Sequence, residues 1–91
     1  MNDFKNIDVV VLRDMSLGCE ISYRLMCECY RPMVHKFALG YVQTDYFATR
    51  IVEEVFSIVW NNKGEYGGHT PASFEFSILC FARLVAFRIM N

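Results

Sequence analysis

The chain has 91 residues, of which 54% are hydrophobic, and its formal net charge at neutral pH is −1. This length predicts one domain, and the high hydrophobic content excludes a disordered chain, which would combine low hydrophobicity with a large net charge. Because the net charge is slightly negative, a protein partner is easier to infer from charge alone than a nucleic acid, whose binders usually carry a basic excess.

The sequence contains no recognisable targeting or membrane segment. Residues 1–5, MNDFK, lack the basic, apolar and small-residue regions of a signal peptide. The longer apolar stretches are interrupted by Arg, Glu or Gly and are too short to span a bilayer. We therefore expect a cytoplasmic protein with reduced thiols. Its cysteines are Cys19, Cys27, Cys29 and Cys80. The alternative, a zinc site that includes His35 or His69, lacks the close paired spacing of structural zinc ligands.

The first predicted element covers residues 7–15. Its run VVVL at positions 9–12 would also suit a buried strand, because β-branched residues favour strands. The helical pattern in the rest of the chain favours a helix here, with Asn6 as its N-terminal cap.

Helical spacing continues from residue 19 to about residue 42. Apolar residues recur at four-residue steps, which indicates an amphipathic helix: Ile21, Leu25 and Cys29. Pro32 is expected to end or kink this helix, since proline has no amide donor. The same spacing then resumes over residues 33–42.

The third predicted helix has the strongest pattern and runs from Asp45 to about residues 61–62, with Thr44 as an alternative cap. Its apolar residues fall on one face at steps of three and four: Ala48, Ile51, Val52, Val55 and Val59. The only clear loop follows, at residues 63–71, where glycines and a proline cluster.

The last predicted helix begins between residues 71 and 73 and continues to the end of the chain. One apolar stripe consists of Phe74, Ile78, Phe81, Val85 and Ile89, and further apolar residues lie off it: Phe76, Leu79, Leu84 and Phe87. A helix that is apolar on most sides needs cover from a partner when the domain is small. The sequence therefore predicts an all-α fold, a compact bundle of about four helices.

No pattern in the sequence indicates catalysis. Glu53 and Glu54 are adjacent on a helix, so their side chains diverge by about 100°. Neither His35 nor His69 is paired with a nucleophile. The glycines at 64–68 lack the Lys-Ser/Thr of a phosphate-binding loop. We therefore predict that the chain is not an enzyme and uses no cofactor, metal or small-molecule substrate.

Residues 48–60, ATRIVEEVFSIVW, carry the most distinctive motif. They resemble a helix of the extracytoplasmic-function sigma factors of the sigma-70 family. The family's helix reads, in order, Ala-Glu-Asp, a hydrophobic residue, Val-Gln-Glu/Asp-Val-Phe and a later Trp. Three other stretches agree with the family in the same order, at residues 8–23, 30–38 and 73–86. The resemblance covers nearly the whole chain.

This resemblance implies a domain of the type called region 2, which docks on the clamp helices of the β′ subunit of RNA polymerase and helps to melt and read the −10 promoter element. We expect residues 1–91 to form one such domain, without the second domain that reads the −35 element. The chain would then be a fragment or a single-domain protein, with an anti-sigma factor as a further partner.

The resemblance also implies which residues act. By position, the polymerase-binding residues are Arg50, Glu53, Glu54 and Ser57, while Phe56 and Trp60 are either contacts with the polymerase or core residues. The predicted DNA-binding residues are Lys63, Tyr66, His69, Phe74, Ser77, Arg83 and Arg88. In this group the basic side chains would contact phosphates and the rings would contact unstacked bases.

Several positions depart from the family pattern. Ser77 replaces a Trp, Leu84 an Asn and Arg88 an Asp on the DNA-facing side, while Arg50 replaces an Asp and Glu53 a Gln in the polymerase-docking motif. An alternative therefore stays open: a degenerate sigma-like protein that regulates transcription by binding polymerase or an anti-sigma partner without reading DNA.

Overall fold

The computed structural model describes residues 7–91, which form four α-helices and one short 3-10 helix. The α-helices are α1 (Val9–Ser16), α2 (Glu20–Val42), α3 (Asp45–Asn61) and α4 (Pro71–Met90), and the 3-10 helix is Lys63–Tyr66. The prediction of an all-α bundle of about four helices is confirmed, and the described residues contain no strand.

Helix α1 shows that the run at 9–12 is helical rather than extended. The helix begins two residues later than predicted, because the Asp8 carboxylate caps it by accepting a hydrogen bond from the Val11 amide at 3.1 Å. The predicted cap, Asn6, lies outside the described residues. Leu12 is fully buried. Packing of this face against the bundle therefore outweighs the local preference of valine for strands.

Helix α2 is one continuous helix of 23 residues that passes through Pro32, so the proline does not end it. Proline cannot supply the amide that would bond to the Glu28 carbonyl one turn earlier. The helix persists because both flanks of Pro32 are held in the core, where Tyr30 is 4% exposed and Val34 is fully buried. Its end is set by Gln43, which adopts a left-handed conformation with φ of 62°.

Helix α3 begins at Asp45, as predicted, and Thr44 is its cap. The Thr44 hydroxyl oxygen accepts a hydrogen bond from the Phe47 amide at 3.3 Å. Asp45 lies 3.0 Å from the His35 imidazole, which ties the start of α3 to α2. The predicted apolar face is buried, with Phe56 added to it: Ala48, Ile51, Val52, Val55, Phe56 and Val59.

Helix α4 begins at Pro71, inside the predicted window. Thr70 and Ser73 cap it reciprocally, since each side chain bonds to the backbone amide of the other. Its core-facing residues are Phe74, Ile78, Ala82, Val85 and Ala86. Four large apolar side chains of the helix are exposed: Phe76, Leu84, Phe87 and Met90. The expectation that α4 carries more apolar surface than the bundle can bury is confirmed, and a partner on that surface stays a prediction.

The core is organised around α2, which contacts each of the other three helices. At one end of the bundle, three aromatic rings pack in a row. The Tyr30 ring lies 5.7 Å from the Phe74 ring, and the Phe74 ring lies 5.2 Å from the Tyr66 ring, measured between centroids. This row joins α2, the 3-10 helix and α4.

Candidate functional site

The outer face of α3 carries three of the four predicted polymerase-binding residues. Arg50, Glu53 and Ser57 are all exposed. Their spacing of three and four residues places them on neighbouring turns of one side of the helix. The opposite side of α3 is apolar and buried. Because the core fixes the rotation of the helix, this polar side faces solvent and is accessible to a partner.

Glu54, the fourth residue of the set, is engaged within the domain. Its carboxylate forms an ion pair with the guanidinium of Arg88 on α4. The structure thus joins a residue predicted to bind polymerase with one predicted to bind DNA. Both side chains are partly exposed, so the pair adds at most about 1 kcal/mol to stability. Its main consequence concerns binding: a partner that contacts Glu54 or Arg88 has to compete with this ion pair.

The two aromatic residues of the motif differ in their surroundings. Phe56 is only 3% exposed. It therefore packs inside the bundle and offers no ring surface to the polymerase, which decides between its two predicted roles. Trp60 is half-buried, with its ring 4.6 Å from that of Tyr23 and the Lys63 ammonium 4.2 Å above it.

A shallow groove of about 320 Å³ extends the α3 face onto α2. Its rim combines Glu53 of α3 with three charged side chains of α2: Arg24, Glu28 and Arg31. The Arg31 guanidinium lies over the Phe56 ring, 5.6 Å from its centroid. These α2 residues were not among those predicted from the sequence. Their spacing of four and three residues was a usable signal, because it predicts a charged stripe along one side of the helix.

The burial of two predicted DNA-contacting rings corrects the sequence prediction. Tyr66 is 2% exposed and Phe74 is fully buried. Both belong to the aromatic row in the core, so neither can stack on an unpaired base in this structure. The physical reason is tertiary packing, since the Phe74 ring contacts those of Tyr30 and Tyr66 where α2, the 3-10 helix and α4 meet.

The other predicted DNA-binding residues remain at or near the surface. The Lys63 ammonium bonds to the Trp60 carbonyl at 3.3 Å. His69 is half-buried, and its Nδ1 lies 3.0 Å from the Ser73 hydroxyl. Ser77 is half-buried. Arg83 is exposed, and its guanidinium lies over the ring of Phe87, one turn further along α4. Arg88 is paired with Glu54. Each basic side chain of this set therefore already has a contact inside the domain.

Across residues 7–91, histidine, cysteine and acidic side chains nowhere gather in a group of three or more that would hold a metal ion. No disulfide bond joins the four cysteines, all of which belong to the described part. None of the helices in this range combines the length and the hydrophobicity needed to cross a membrane.

Tyr23, at the edge of the α2–α3 groove, has a strongly altered ionisation. Its burial raises the pKa of the phenol to about 12, with a hydrogen bond to Cys27 as the second cause. The same hydroxyl donates a hydrogen bond to the Phe56 carbonyl at 3.0 Å. The folded state therefore retains this proton above pH 10, where the ordinary phenol of an unfolded chain loses it. The contribution of Tyr23 to stability is complete below pH 10 and is lost as the pH rises towards 12.

We accordingly expect Tyr23→Phe to flatten the fall in unfolding free energy between pH 10 and 12. Urea unfolding at several pH values measures this slope, and absorbance at 295 nm follows the phenolate directly. Tyr46→Phe is the matched control, because Tyr46 is 66% exposed and should leave the slope unchanged. Parallel pH profiles for the parent chain and Tyr23→Phe would contradict the prediction.

Comparisons with known proteins add no relative: no family model, curated protein or solved structure matches the sequence. The fold therefore defines the class of protein, an all-α bundle of four helices over the described residues. Within that class, the candidate site is the charged face shared by α3 and α2.

Proposed function

We propose that this chain is a transcription-initiation domain of the sigma region 2 type, which binds the β′ clamp of core RNA polymerase in the bacterial cytoplasm. One observation carries the proposal. The motif positions that the resemblance assigns to polymerase docking, Arg50, Glu53 and Ser57, are exposed on a helix whose opposite side is sealed in the core.

The physical properties of this face suit a protein partner. It contains both acidic and basic groups, and charges of both signs set the orientation and rate of encounter more than the total affinity. The helix is already rigid, so little conformational entropy is lost when the face binds. Arg24 and Arg31 of α2 widen the charged area at the groove beside Glu53.

The test is a charge exchange within the site. Arg50→Glu combined with Glu53→Arg leaves the net charge unchanged but reverses the pattern presented to the clamp. We expect at least about a tenfold loss of affinity for core polymerase, because like charges then oppose each other across the interface. Fluorescence anisotropy of the labelled chain with core polymerase measures the affinity. Glu54 is left intact, since changing it would also break its ion pair with Arg88.

The matched control is a second exchange outside the site, Lys36→Glu with Glu65→Arg. Both residues are exposed, and neither lines the α2–α3 groove. This variant should bind polymerase like the parent chain. Equal affinities for the parent chain and the site exchange, with circular dichroism confirming that both are folded, would reject the proposed docking face.

The second part of the proposed activity is recognition of −10 promoter DNA. Arg83 is its best-placed candidate, because it is exposed and lies beside the ring of Phe87 on α4. The test is binding of a single-stranded −10 oligonucleotide to the complex with polymerase at increasing salt, for the parent chain and Arg83→Ala. Loss of one phosphate contact should lower the slope of log affinity against log salt by about one.

A regulator that binds only proteins is the second candidate. It is favoured by the burial of Tyr66 and Phe74 and by the net charge of −1. For such a protein, the oligonucleotide would bind polymerase alone and the complex of polymerase with this chain with the same affinity and salt dependence. The charge exchange at Arg50 and Glu53 would still weaken binding of the chain to polymerase.

A further inference from the structure

A second and larger groove, of about 670 Å³, lies between α2 and α4, and no residue of α3 lines it. Leu25, Cys29, Pro32 and Met33 form its α2 side, and Glu75 contributes from α4. This groove is distinct from the proposed polymerase-docking face. The α2–α3 groove and the α2–α4 groove share one lining residue, Glu28.

The α2 side of this groove has the shape that helix packing requires. Leu25, Cys29 and Met33 line it at four-residue steps, and Ile21 extends this row by one turn beyond the groove. Such a ridge fits between the ridges of a second helix. Ile21 is 73% exposed and Leu25 is 44% exposed. The ridge covers thirteen residues, from Ile21 to Met33, a length of about 18 Å. The described part of the chain therefore leaves room beside α2 for one more helix of several turns.

The polar groups of the groove are hydrogen-bond acceptors with negative charge. Glu28 and Glu75 are the only charged side chains that line the groove. Neither belongs to an ion pair among the described residues. Burial raises the pKa of the Tyr30 phenol, and the negative charge of the Glu75 carboxylate near it raises that pKa further. Pro32 cannot bond to the Glu28 carbonyl, so this stretch of α2 lacks one internal donor. Lysine or arginine would complement such a set of acceptors.

We propose that the α2–α4 groove docks an amphipathic helix of a partner protein, with basic residues flanking an apolar stripe. The apolar stripe packs on the ridge of Ile21, Leu25 and Met33, and its basic residues meet Glu28 and Glu75. Negative charge in the groove disfavours a nucleic acid at this place. The inference goes beyond the proposed function and does not depend on it.

The test uses a defined probe in place of the unidentified partner. The probe is a helical peptide of about 18 residues built from leucine and arginine, about 27 Å long, and a second peptide carries glutamate in place of every arginine. Titration of the ¹⁵N-labelled chain should shift the amide signals of Leu25, Cys29, Met33 and Glu75 with the arginine peptide only. Glu28→Gln with Glu75→Gln should weaken its binding at least about tenfold.

The matched control is Asp14→Asn with Glu65→Gln, which removes the same charge outside the groove. It should bind the arginine peptide like the parent chain. Equal weakening by both double variants would show diffuse attraction and overturn the proposal. Binding of the glutamate peptide to the same residues would also overturn it. Concentration-dependent dimerisation through the groove would assign it to a second copy of this chain instead.

Discussion

Replacing Phe74 with alanine is expected to destabilise the fold by about 3–5 kcal/mol. Phe74 is fully buried and packs between the rings of Tyr30 and Tyr66. Removing its ring leaves a cavity that three elements would have to close together, since α2, the 3-10 helix and α4 meet there. Proteins of this length have a total stability of about 5–14 kcal/mol, so this one change removes a large part of it.

Urea unfolding followed by circular dichroism measures the effect, and Phe76→Ala is its control. Phe76 lies two residues away on the same helix but is 71% exposed. The same substitution there should change the unfolding free energy by no more than about 0.5 kcal/mol. If the two variants lost similar stability, the rotation of α4 described above would be wrong.

Leu12→Ala is expected to cost about 2–5 kcal/mol, the second-largest effect. Leu12 is fully buried, and α1 has only eight residues, too few to be stable as an isolated helix. Packing through Leu12 and Met15, the two fully buried side chains of α1, therefore retains this helix on the bundle. We also expect hydrogen exchange of the α1 amides to become faster than that of α3.

The control for this change is Leu84→Ala, the same substitution on a helix at a side chain that is 64% exposed. It should leave stability within about 0.5 kcal/mol of the parent chain. Full retention of stability and of α1 protection in Leu12→Ala would mean that α1 is held by other contacts.

The helices were largely predictable, because local signals and the global pattern agree. The apolar positions of α3 recur at helical steps, and the caps at Thr44 and Thr70 stand where hydroxyl side chains usually begin helices. The prediction was weaker wherever a local rule met a stronger tertiary effect. Pro32 is a local stop signal, but burial of its neighbours on α2 keeps the helix continuous.

The candidate site was only partly predictable. Exposure of Arg50, Glu53 and Ser57 follows from the helical period alone, since the apolar positions determine which side faces the core. The pairing of Glu54 with Arg88 joins residues 34 positions apart, and no periodicity links them. The charged residues that α2 contributes to the α2–α3 groove were not predicted, because the sequence does not show which two helices lie next to each other.

By itself, the sequence determined an all-α chain, the approximate bounds of its helices and the polar side of α3, because all three depend on spacing along one helix. Only the tertiary structure decided that Tyr66 and Phe74 are interior rings, that α2 shares in the charged face, and that an apolar groove runs along α2 beside Glu75 of α4. These features depend on how helices pack against each other, and side chains distant in sequence determine that packing together.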